Sequence, residues 1–137
     1  SSDVCSSDLA MVALPQPSNI EYIGFADAAH KAKLLADSDI LCFPTFYSAE
    51  SFGLVLLEAM AFGLPVLTTK WRSLPDILPP NYPGLVDINS PDQIAAALFS
   101  LAARDDSEAL RQRFVQNYTL PIHLQKLAAA IREANRP

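Results

Sequence analysis

Apolar residues run in short continuous blocks rather than strict alternation between residues 39 and 69, DILCFPTFYSAESFGLVLLEAMAFGLPVLTT. Ile40, Leu41, Cys42 and Phe43 form one block that Pro44 stops, the pattern of a strand buried on both faces. Residues 52–62 are strong helix formers, and Gly63 followed by Pro65 ends them. Residues 65–67 give a second apolar strand. Strand, helix and strand in this order predict the βαβ unit of a parallel sheet. Val55, Ala59 and Phe62 are expected to turn towards that sheet, while Leu54 and Glu58 share another face.

The flanking pattern extends the same layout. Ile20-Glu21-Tyr22-Ile23 alternates as a short strand that Gly24 ends, and residues 28–36 read as a helix with Lys31 and Lys33 outward. Residues 84–87 predict a last short strand. Ser90-Pro91-Asp92-Gln93 has the form of a capping box, opening a helix with Ile94, Ala97, Leu98 and Leu101 on one face. Asp105-Asp106 starts a helix over residues 107–118, which Pro121 stops. Leu124, Leu127, Ala128 and Ile131 mark a terminal amphipathic helix. The predicted fold class is α/β, a Rossmann-like parallel sheet flanked by helices.

The helix start at Ser51-Phe52-Gly53 brings in chemistry. A helix amino end carries unpaired N–H groups and partial positive charge, which suits a phosphate or diphosphate. Gly53 has no side chain to hold a ligand off the backbone. Glu50 stands at the mouth of this helix, and the helical rise puts Glu58 roughly 9–10 Å along the axis. Two such carboxylates could bracket a ligand with hydroxyls on both sides of a diphosphate. Taken alone, Glu58 reads equally well as a solvated edge or a salt-bridge partner, and Glu50 as a helix-start residue favoured by the dipole.

E-S-F-G-L-V-L-L-E followed by A-M-A-F-G-L-P-V-L-T-T resembles the donor-site signature of retaining family 4 ("group 1") glycosyltransferases. That signature has two glutamates with seven residues between, Phe-Gly after the first, and Gly-x-Pro-Val after the second. The resemblance covers residues 19–101 and is firmest over residues 44–69. It implies the carboxyl-terminal, donor-binding half of a two-domain GT-B enzyme, with a nucleoside-diphosphate sugar as substrate. By the same resemblance Glu50 holds donor-sugar hydroxyls near the anomeric carbon, Ser51, Phe52, Gly53 and Leu54 face the diphosphate, and Glu58 holds the ribose. N-I-E-Y-I-G-F-A-D resembles the family segment lying against the nucleobase, making Gly24 and Phe25 candidates there; a plain turn explains them as well. The class works without a metal or other cofactor, so none is expected.

Two departures from the family pattern stand out. The loop after residue 69 usually carries Gly-Gly and then Pro-Glu; here Lys70-Trp71-Arg72-Ser73-Leu74-Pro75-Asp76 adds bulk, with Ser73 and Asp76 where Gly and Glu are common. Lys70 or Arg72 could neutralise phosphate charge, although exposed loop cations are mostly solvated. The family's diphosphate-clamping Arg and Lys have no counterpart before Asn19. Residues 1–10 repeat S-S-D, fit no periodicity, and are expected to be a non-native or truncated lead. Residues 11–137 are then a nucleotide-sugar-binding domain incomplete at its amino end, whose acceptor-binding domain is missing. Alone, such a chain is expected to have little or no transferase activity.

Composition narrows the alternatives. A chain of 137 residues bounds one domain, and 50% hydrophobic content supports a real core. A net charge of −5 argues against a nucleic-acid partner. No apolar run reaches the ~18–20 residues of a membrane span, and peripheral membrane association of the full-length protein is left open. Two cysteines without a pairing pattern favour a reducing, cytoplasmic setting, and Asn117-Tyr118-Thr119 is an incidental sequon. Asp37-Ser38-Asp39 spells a metal–diphosphate motif, but its second Asp opens a strand at the end opposite the ligand-facing loops. His30 and His123 stand without ligand or triad partners and read as structural. Four glycines, at 24, 53, 63 and 84, cannot form a dinucleotide fingerprint. A glycosidase needs both carboxylates flanking one bond, which Glu58 on a helix does not offer. The acceptor remains open: a glycan, a lipid or a small molecule. The rival function is a non-catalytic nucleotide-sugar-binding module.

Overall fold

The computed structural model describes residues 18–135. The expected lead over residues 1–10 lies outside them. The chain divides into two compact units, Ser1–Lys33 and Leu34–Pro137.

In the first unit the strand expected over residues 20–23 does not form. Ile20, Tyr22 and Ile23 are all exposed. Alternation alone does not hold a strand; its N–H and C=O groups need a ladder partner. Gly24 sits in the left-handed region at φ 64°, consistent with a turn. Helix α1, Ala28–Asp37, begins in this unit and runs across the boundary. Asp27 caps it, with the His30 N–H donating to its Oδ1 at 2.8 Å.

The second unit is built on a three-stranded parallel sheet of β1 (Leu41–Phe43), β2 (Val66–Thr69) and β3 (Leu85–Val86), ordered β1-β2-β3. Leu41 pairs with Val66, Cys42 with Leu67 and Phe43 with Thr68; Thr68 then pairs with Leu85 and Thr69 with Val86. The helices are α2 (Leu54–Ala61), α3 (Leu74–Ile77), α4 (Pro91–Ala102), α5 (Ser107–Asn117) and α6 (Leu120–Ala134). α2 packs against α5 and β2, and α4 against β3 and β2. The predicted βαβ unit is thus present as β1–α2–β2.

Burial follows position in the sheet. All four residues of the central strand β2 are buried, whereas β1, at the edge of the described sheet, is only half-covered. The expectation that residues 40–43 are buried on both faces is therefore corrected, and Cys42 is exposed. The core gathers Leu56, Ala59 and Met60 of α2, Val66 and Leu67 of β2, Leu74, Ile77 and Leu78 around α3, Leu101 of α4 and Leu110 of α5. Each fully buried Leu or Met contributes about 1.5–3 kcal/mol relative to exposure. Phe62, expected on the sheet-facing side of α2, is exposed. The buried stripe sits one residue round, at Leu56, Ala59 and Met60, and Phe62 stands past the last helical residue as the C-cap.

Several junctions depart from the sequence reading. Ser90 makes no side-chain cap; Gln93 instead accepts from the Asp87 N–H at 2.9 Å and donates to the Asp87 carboxylate at 3.0 Å. Asp106 stands at the start of α5 without capping it, its carboxylate taken by Arg104 at 2.9 and 3.1 Å. Pro121 lies in the first turn of α6, where its missing N–H costs nothing. Residues 74–77, expected within a loop, form the short helix α3. Its last carbonyls are satisfied by α5: the Arg113 guanidinium donates to Ile77 O and Asp76 O, and the Tyr118 hydroxyl donates to Ile77 O. Gly84 allows a backbone crossing, since a Cβ there would lie 2.0 Å from Val66 O.

Candidate functional site

The loop 44–53 leaves the carboxyl end of β1, the edge at which parallel sheets bind ligands. Pro44, Thr45, Phe46, Tyr47 and Ser48 line an open concavity of about 500 Å³ there. At the far end of the loop, Gly53 is the N-cap of α2 in the left-handed conformation, φ 64° and ψ 53°. Its N–H donates to Glu50 Oε1 at 2.9 Å. Glu50 thus caps the turn leading into the helix, the structural role its position suggested, and keeps a half-buried carboxylate at the mouth.

Ser51, Phe52 and Leu54 are exposed, Leu54 at 67%, so the helix start opens to solvent on their side, while Gly53 between them is buried. By helix geometry, the N–H groups of Leu54 and Val55 precede any intrahelical acceptor; that of Leu56 bonds back to Gly53 O at 2.9 Å. Glu58 is half-buried, four residues into the helix. Because α2 begins at Leu54, Glu58 stands about 6 Å along the axis from the first helical residue, less than the 9–10 Å expected from a helix starting earlier.

Gly53 is required for a reason the sequence did not reveal. A Cβ on it would stand 2.6 Å from Leu74 Cδ2 and 3.3 Å from Leu56 Cδ1, inside the core. The missing side chain makes room for protein on that side. Gly24 and Phe25 belong to the first unit, where Phe25 is 94% exposed.

The end of β2 and the loop after it supply what sequence reading missed. Thr68 Oγ1 donates to Phe43 O at 2.9 Å, Thr69 Oγ1 donates to Thr45 O, Trp71 Nε1 donates to Tyr47 O at 2.9 Å, and Ser73 Oγ donates to Ser51 O at 2.7 Å. Four side chains from one segment therefore fix carbonyls at the end of β1 and along the candidate loop. Of the two candidate cations, Lys70 is engaged with Asp87 at 2.9 Å. Arg72 lies over the Trp71 ring at 5.7 Å from its centroid, with φ 49°. A left-handed non-glycine residue costs about 1–2 kcal/mol. Hydrogen bonds from Gln93 and Lys70 hold the Asp87 carboxyl below the usual range.

A second concavity, about 440 Å³, lies at the opposite end of the sheet, lined in part by Asp39, Gly63, Pro65, Arg104 and Ser107. It sits at the amino ends of the strands, away from the ligand edge, and its Arg104 is already paired with Asp106. Among the described residues no group of three or more His, Cys, Asp and Glu side chains could hold a metal ion, and no helix is long and apolar enough to cross a membrane.

Glu50 at the mouth of α2 and Glu58 on its second turn thus lie on one loop–helix passage at the carboxyl edge of a Rossmann-like parallel sheet. The family model for glycosyl transferases group 1 matches residues 10–119, and the chain belongs to that family. Its relatives include a phosphatidyl-myo-inositol mannosyltransferase of Mycobacterium tuberculosis, 36% identical over 99 residues, covering 71% of this chain and 26% of the relative. An O-antigen chain mannosyltransferase B of Escherichia coli is 37% identical over 89 residues, 64% of this chain and 22% of the relative. A D-inositol 3-phosphate glycosyltransferase of Corynebacterium jeikeium is 35% identical over 95 residues, 69% of this chain and 22% of the relative. The chain spans about a quarter of the length of these curated relatives.

Proposed function

We propose that this chain carries the donor-binding half of a retaining glycosyltransferase that moves a hexose from a nucleoside-diphosphate sugar to an acceptor hydroxyl. One observation carries the reading: in a chain of this family, Glu50 and Glu58 stand on either side of a solvent-open helix start at the sheet's carboxyl edge. In the transfer the bond from the anomeric carbon to the diphosphate oxygen breaks, and a bond to the acceptor oxygen forms on the same face. The acceptor proton passes to the departing phosphate oxygen. The N–H groups of Leu54 and Val55 face the developing charge, a preorganised contribution that needs no metal. Each such contact is worth about 0.3–1 kcal/mol exposed and up to ~2 when partly buried.

Glu50 is the acid assigned to the donor-sugar hydroxyls, Glu58 the acid assigned to the ribose. Ser51, Phe52 and Gly53 shape the diphosphate turn; Gly24 and Phe25 remain the nucleobase candidates. The relatives named as mannosyltransferases favour mannose as the sugar. A phosphatidyl-inositol acceptor, as in one relative's name, would bring the full-length protein to a cytoplasmic membrane surface.

The test is calorimetric titration of the full-length protein with uridine, guanosine and adenosine diphosphates. Glu58→Ala is expected to weaken nucleotide binding by roughly 10- to 150-fold, the value of hydrogen bonds to a charged group. Glu50→Ala is expected to lower turnover with little change in nucleotide affinity. Unchanged affinity in the Glu58 variant would remove its assigned role.

A further inference from the structure

Glu50 is anchored through its neighbours. The Tyr47 carbonyl accepts two hydrogen bonds, from the Glu50 N–H at 3.1 Å and from Trp71 Nε1 at 2.9 Å. One residue beyond Glu50, the Ser51 carbonyl accepts from Ser73 Oγ at 2.7 Å. The Glu50 carboxylate in turn accepts from the Gly53 N–H. The backbone on both sides of Glu50 is therefore tied to one short segment after β2, residues 71–73, by side chains that belong to no regular element. Residues 44–53 are themselves without helix or strand, so these ties replace the ladder bonds an element would provide.

We propose that Trp71 and Ser73 are positioning residues for Glu50, clamping residues 47–51 so that its carboxylate is held at the mouth of α2. Trp71 also carries the Arg72 guanidinium over its ring, 5.7 Å from the centroid. The functional weight of this clamp rests on the reading that Glu50 serves the donor sugar; the clamp itself does not. Ser73, at a position where the family pattern commonly has Gly, thus reaches back to the acid-bearing loop.

The experiment is amide hydrogen exchange on the 137-residue chain, comparing wild type with Trp71→Phe, which keeps the ring and removes the N–H. The Glu50 and Gly53 amides are expected to exchange roughly 2- to 12-fold faster, the loss of one net hydrogen bond, while β2 amides stay unchanged. Ser73→Ala, which removes only a hydroxyl, gives the same local result if the Trp71 variant does not fold. Exchange at Glu50 equal to wild type in both variants, or acceleration spread evenly over β2 and the loop, would overturn the proposal.

The kinetic arm uses the full-length protein. Trp71→Phe is expected to lower kcat by the same factor with nucleoside-diphosphate affinity retained, and to add nothing to Glu50→Ala. An additive double variant would overturn the proposal. A wild-type protein without transferase activity would overturn the donor reading instead, and exchange would still decide the clamp.

Discussion

Replacing Gly53 with alanine separates two explanations of the same glycine. If the residue is bare only to let a ligand approach the backbone, Gly53→Ala should fold as well as wild type and lose binding. The structure assigns it two further demands: φ is 64°, and an added Cβ would lie 2.6 Å from Leu74 Cδ2. The conformational part costs about 1–2 kcal/mol. Leu74 Cδ2 is the end of a movable side chain, but Leu74 is fully buried, so displacing it carries an overpacking cost of about 1–3 kcal/mol. Together these give about 2–5 kcal/mol of a total stability of ~5–15. With an unfolding entropy of about 2.1 cal/mol/K per residue over 137 residues, Tm should fall by roughly 7–17 °C. Thermal unfolding followed by circular dichroism, with urea titration alongside, measures it. In a Leu74→Ala background the steric part disappears, and Gly53→Ala should cost only about 1–2 kcal/mol more. A fall in Tm below ~3 °C in the single variant would refute the reasoning.

Two further predictions concern stability. Tyr82→Phe removes the hydroxyl that accepts the Val66 N–H at 3.0 Å and leaves that buried donor unpaired, so it should cost about 1–3 kcal/mol by urea denaturation. Asp87 has a folded pKa held below its ordinary value by Gln93 and Lys70. Its contribution is present above the unfolded Asp range, near pH ~4, and is lost as pH falls through the lower folded value. The pH dependence of Tm below ~4 should therefore flatten in Asp87→Asn, and an unchanged acid limb would contradict the assignment.

Much of the site was legible because its chemistry is local in sequence. Glu50, Gly53 and Glu58 lie on a single strand–loop–helix passage whose apolar blocks and terminal Gly63 set the order of elements. The register of α2 was less legible. A Gly53 N–H donating to the Glu50 carboxylate and a left-handed Gly53 delay the helix to Leu54, while packing settles the buried stripe on Leu56, Ala59 and Met60 and Phe62 falls at the exposed C-cap. The close approach of Leu74 to Gly53, which excludes a side chain there, is a tertiary contact that the local sequence does not carry. Residues 20–23 alternate as a strand should, yet burial and ladder bonds, not alternation, decide whether one forms. Cys42 follows the same rule: an apolar run is buried on both faces only when strands and helices cover it, and β1 stands at the edge of the described sheet. The Trp71 and Ser73 bonds were invisible because they span 24 and 22 residues and end on backbone carbonyls.

The most direct measurement is a two-dimensional amide NMR titration of this chain with guanosine, uridine and adenosine diphosphates. If the open end of α2 is where a charged sugar donor docks, the Gly53, Leu54 and Val55 amides should show the largest saturable shifts with at least one of the three. Shifts gathered instead around Asp39, Gly63, Arg104 and Ser107, or none at any nucleotide concentration, would contradict it.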